Sequence, residues 1–150
     1  MNHAAMNQPA MTQPAVNPHP YLRAYMAGIT VPTVFLLVAA TGFCIARYVL
    51  NVPVPIERVI VFPMAVVPNA WGLWNMVFVA LYSRAKMSIG LHGALLPLLL
   101  GPLGMVMASI LNLGFLPIRI LPIAAFVAFS VYYLAWKYLV GSLNRVLGLM

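Results

Sequence analysis

Residues 89–113 read IGLHGALLPLLLGPLGMVMASILNL, twenty-five consecutive positions without a single Asp, Glu, Lys or Arg. A bilayer's hydrocarbon core is crossed by about 20 apolar residues of α-helix, so this stretch has the length and composition of a span, and it is too long for a core helix of a small soluble domain. The residues around it extend the same pattern. Upstream, an apolar run from about 59 to 82 ends at Ser83-Arg84-Ala85-Lys86, and an earlier one covers about 25–46 between Tyr21, Arg23 and Tyr25 on one flank and Arg47 and Tyr48 on the other. Downstream, a turn around Gly114 and Pro117 leads into a run from about 118 to 138. Singly placed basic and aromatic residues at run ends are the anchors expected at membrane interfaces.

The whole chain supports this reading. It is 64% hydrophobic and 6% charged, against about 25% charged residues in an ordinary soluble domain. Eight Lys plus Arg and one acid, Glu57, cannot clothe a soluble core. The expected fold is therefore all-α: an integral membrane bundle of four transmembrane helices over residues 21–150, preceded by a disordered Pro-rich tail over residues 1–20. That tail carries Pro9, Pro14, Pro18 and Pro20 and no hydrophobic periodicity.

The net charge of +7 and pI near 10.1 would suggest nucleic acid in a soluble chain. Here the basic residues stand one at a time beside apolar runs, so the expected partners are membrane lipids and other membrane subunits or further copies of the chain, with no nucleic acid. Four spans place both termini on one side. Arg23, Arg84, Lys86, Lys137 and Arg145 fall on that side and Arg47, Arg58 and Arg119 on the other, five against three, which assigns both termini to the cytoplasm.

The third run holds the most regular pattern. Gly90, Ala94, Pro97, Gly101, Gly104 and Ala108 recur at spacings of four, three, four, three and four, a heptad seam without large side chains. Helices in lipid associate by close backbone approach, so the seam is expected to pack against another helix. Prolines five apart recur at Pro63 and Pro68, Pro97 and Pro102, and Pro117 and Pro122, and they are expected to kink their helices.

The second run contains Pro68-Asn69-Ala70-Trp71-Gly72-Leu73-Trp74-Asn75. If the run spans evenly, Asn69, Trp71, Trp74 and Asn75 are intramembrane polar positions whose amides and indoles need partners inside the bundle. If a helix instead starts at Pro68 or Asn69, residues 59–67 lie along the interface and the tryptophans join an aromatic belt. Composition leaves both readings open.

His92 is the one histidine attached to a span, and an imidazole there is a candidate ligand for haem or chlorophyll, or an ordinary polar contact. Residues 139–150, with Leu143, Val146 and Leu147 around Asn144 and Arg145, suit a short interfacial helix or an extension of the fourth span. The chain offers no paired carboxylates, no Ser-His-Asp set, no phosphate loop and a lone Cys44, so no catalytic or metal site is expected. The expectation is a small non-catalytic membrane protein acting as a structural or assembly subunit of a larger complex or homo-oligomer. Its alternatives are a transporter or channel subunit and a haem- or pigment-binding subunit using His92.

Overall fold

The computed structural model describes residues 19–53, 56–84, 87–110, 112 and 119–150, the side chains of 56–62 excepted. All regular structure among the described residues is helical, and four helices are long and apolar enough to cross a membrane. The Pro-rich stretch 1–18, Lys86 and the turn around Gly114 and Pro117 lie outside the described residues.

Helix α1 is Pro20–Tyr48. It starts earlier than the apolar run, because Pro20 occupies its first turn, where proline's fixed φ suits a helix and its missing N–H costs nothing. Helix α2, Ile56–Leu81, is continuous through Pro63 and Pro68. The second run is thus one helix, with no restart at Asn69. The Asn69 side-chain Nδ2 donates to the Ala65 carbonyl at 2.7 Å, a side-chain donor supplied one residue after a proline that has none.

The third span is broken. Helix α3, Ile89–Ala94, and helix α4, Leu96–Ile110, meet at Leu95. Pro97 has no N–H to give the Gly93 carbonyl, and the local bonds shorten to three-residue spacing. Leu95 N–H donates to His92 O at 3.2 Å, and Leu98 N–H to Leu95 O at 3.1 Å. Ser88 caps α3, its hydroxyl accepting from Leu91 N–H at 3.3 Å.

Helix α5, Leu121–Leu134, runs through a π turn, Ala135–Val140, into α6, Gly141–Val146. In that turn the Trp136 carbonyl accepts from Gly141 N–H, five residues on. The three pieces form one continuous 26-residue stretch, Leu121–Val146, long and apolar enough to cross a membrane, so the C-terminal segment extends the fourth helix.

The bundle is built from α1 against α2, with α3 packed on α5 and the π turn. Gly28 and Gly72 set the first contact. A Cβ on Gly28 would lie 2.5 Å from the Trp71 carbonyl and 2.8 Å from Gly72 Cα, and one on Gly72 would lie 2.6 Å from the Tyr25 ring. Two backbones touch there, as small residues allow in apolar surroundings. Gly93 sets the second contact, since its Cβ would fall 1.9 Å from Trp136 Cγ. The core that results comprises Trp71, Leu96, Leu100, Trp136 and Val140.

Candidate functional site

The polar groups of α2 are sorted by their direction. Asn69 is exposed, and its Oδ1 accepts from the Tyr25 hydroxyl, joining α2 to α1. Six residues on, Asn75 is fully buried at 0% exposure. Its Nδ2 donates to the Ala24 carbonyl at 2.7 Å and to Asn144 Oδ1 at 2.8 Å, and Asn144 Nδ2 donates back to Asn75 Oδ1 at 2.9 Å. One reciprocal amide pair therefore ties α1, α2 and α6 together. Because Ala24 lies near the start of α1 and Asn144 near the end of α6, both ends meet at one end of the bundle.

His92, 3% exposed, is held by a second reciprocal pair. Trp74 Nε1 donates to the His92 carbonyl at 2.9 Å, and His92 Nε2 lies 3.0 Å from the Trp74 carbonyl. A carbonyl can only accept, so Nε2 carries the proton. The imidazole stacks on Trp74 at 4.8 Å between centroids, tilts against Phe78 at 5.2 Å and meets Trp136 edge-on at 5.8 Å. Trp136 in turn packs on Trp71 at 5.4 Å, and Trp71 on Tyr132 at 5.0 Å. The structure thus brings Trp71, Trp74 and His92 together with Trp136 and Tyr132, sets Asn75 in a separate pair with Asn144, and leaves Asn69 outside both.

His92 is the one residue in this cluster with a cofactor-ligating group, and ligation through Nε2 requires giving up its bond to Trp74. Among the described residues, no three His, Cys, Asp or Glu side chains gather as a metal set. Cys44 is free and exposed.

The small-residue seam is divided along its length. Gly90 is buried, and a Cβ there would lie 2.9 Å from the Tyr133 ring and 3.2 Å from Lys137 Cβ. Ala94, Pro97, Gly104 and Ala108 are half-buried. Gly101 is exposed, with nothing within 4 Å of the position a Cβ would take. Gly93, one step off the seam, makes the closest approach of all.

A cleft of about 830 Å³ opens on the other face, between α1, α2 and the α5 to α6 span, with Thr30 to Val38 on one wall and Trp71 and Tyr132 on the others. The chain matches no protein-family model, no curated protein and no solved structure.

Proposed function

We propose that this chain is a small non-catalytic membrane protein, multi-pass with both termini in the cytoplasm, that serves as a structural subunit of a larger membrane complex or of a homo-oligomer. The observation that carries the proposal is the division of the seam: α5 and the π turn fill the groove at Gly90, whereas the same groove at Gly101 meets nothing among the described residues. A smooth helix surface in lipid gains by close backbone approach, and the helix that supplies it at Gly101 belongs to another chain.

The interior supports a structural role. Asn75, Asn144, His92 and Trp74 spend their donors on one another and on backbone carbonyls, so these polar groups hold helices together.

Purification in a gentle detergent followed by native mass spectrometry tests the reading. The expected result is a complex of two or more chains or of this chain with another membrane subunit. A strictly monomeric species in both detergent and lipid nanodiscs would contradict it.

A further inference from the structure

The α1 wall of the cleft runs from Thr30 to Val38, and none of the side chains lining the cleft is charged. Its two aliphatic hydroxyls are already bonded within the chain. Thr30 Oγ1 donates to the Met26 carbonyl at 2.6 Å, and Ser142 Oγ to the Leu139 carbonyl at 2.7 Å. Val34, Phe35 and Val38 are exposed, so the slot opens sideways to whatever surrounds α1. Hydrocarbon is what such walls accommodate, by dispersion contact alone.

Arg23 continues the α1 wall toward the helix start. Thr30 and Val34 follow it by seven and eleven residues, close to two and three full turns, so the three positions share one face of α1. The seven-residue step sets Arg23 about 10 Å from the level of Thr30. Its side chain is half-buried, and Nη1 is enclosed with no hydrogen-bond partner among the described residues. Lys137 and Arg47, by contrast, lie over tyrosine rings.

The chain's one acidic side chain is too far away to neutralise Arg23. Glu57 is in the first turn of α2, eighteen residues before Asn75, and Asn75 bonds to Ala24 next to Arg23. Eighteen helical residues span about 27 Å. A guanidinium drawn partly out of water without a counter-charge favours an anion beside it. That attraction belongs to the whole delocalised charge and does not require Nη1 itself to be reachable.

The cation and the apolar slot together have the length of one lipid. From Arg23 to Val38 is fifteen residues of α1, about 22 Å. Half a bilayer with its headgroup region is about 20–22 Å thick. We propose that this groove holds one anionic phospholipid of the leaflet on the side of the chain termini. Its phosphate sits beside Arg23, and one acyl chain lies in the cleft as far as Val38. A zwitterionic lipid would bring its own cation to Arg23 and gains less there. Every residue involved lies within one chain, so the site is independent of the assembly reading.

The test titrates the full chain in detergent with dioleoyl phosphatidylglycerol and, separately, with dioleoyl phosphatidylcholine, which has the same chains and no net charge. Native mass spectrometry counts bound lipid, and the melting temperature reports its effect on the fold. The anionic lipid should saturate at one copy per chain and bind about fivefold more tightly than the zwitterionic one, the ratio one arginine supplies at a headgroup. Arg23→Gln should erase that preference, and Arg23→Lys should keep it. Val34→Trp, at the exposed lip of the cleft, should weaken both lipids about fivefold by crowding the acyl chain, and it is the independent variant should Arg23→Gln fail to fold. Glycerol phosphate, a headgroup without chains, should not raise the melting temperature. Equal binding of the two lipids, or a preference that survives Arg23→Gln, would overturn the proposal. Binding untouched by Val34→Trp would take the acyl chain out of the cleft, and stabilisation by glycerol phosphate would reveal a site for free anions; either overturns it as well.

Discussion

Asn75 and Asn144 each donate to the other's carbonyl oxygen, at 2.8 and 2.9 Å, across 69 residues of sequence. Both are fully buried, and Asn75 has a further bond to the Ala24 carbonyl. An amide buried without partners carries its full desolvation penalty, so each asparagine makes the other tolerable.

A double-mutant cycle should expose this dependence. Asn75→Ala and Asn144→Ala are each expected to lower stability by about 1–2 kcal/mol, the range for interhelical hydrogen bonds in apolar surroundings. The double variant should lose less than the sum, by about 0.5–1.5 kcal/mol, since the second removal strands no partner. Thermal melting of all four proteins in one detergent checks it, and strict additivity would mean the pair does not couple.

Glycine substitutions separate touching backbones from open ones. Gly93→Ala would set a Cβ 1.9 Å from the base of the Trp136 ring, where the side chain cannot swing away, and should cost about 3 kcal/mol. Gly28→Ala meets the Trp71 carbonyl at 2.5 Å and should cost a similar amount. Gly42→Ala meets nothing within 4 Å and should gain about 0.5–1 kcal/mol from helix propensity. Melting temperatures ordered Gly42→Ala, parent, then the other two would bear this out, and a Gly93→Ala protein as stable as the parent would refute the packing described.

The proposed topology rests on the five-against-three distribution of basic residues in the sequence, and Asn75 joins Ala24 and Asn144, from the first and last helices, at one end of the bundle. Reporters fused at the N-terminus and after Met150 should both be cytoplasmic, and one inserted at Val52 should be outside. An exported C-terminal reporter would reverse the charge argument.

The four spans were legible because twenty-odd uncharged apolar residues in a row have few physical solutions. Asn75 and His92 stood out because polar side chains inside such runs are costly. Their partners did not. Asn144 is far away in sequence and sits in a stretch whose amphipathic spacing suits an interfacial helix equally well, and only the packed fold shows the fourth helix carrying through a π turn to bring it inward. Of the intrachain glycine contacts, the heptad included the one at Gly90. The heptad drew attention to Gly101, whereas Gly93 lies outside the seam and Gly28 and Gly72 are isolated. The spacing of Ala24, Gly28 and Pro32, every fourth residue on α1, was the available sign of that close face. The break at Leu95 also could not be read from Pro97 alone, because Pro63 and Pro68 leave α2 continuous.

The most direct measurement is the mass of the assembly formed by Gly101→Leu, taken beside the parent in the same lipid nanodiscs. Because nothing among the described residues lies within 4 Å of a Cβ at Gly101, the leucine has room in the single chain, and the variant should insert and show the parent's helix content and melting temperature once monomeric. Between chains the leucine would force two helix backbones apart, an overpacking cost on the order of 1–3 kcal/mol, or roughly a 5- to 150-fold weaker association. The account predicts a parent that is oligomeric or partner-bound and a folded variant shifted toward single chains. A Gly101→Leu protein that assembles as the parent does would contradict it, since α4 would then contact another chain somewhere else or not at all.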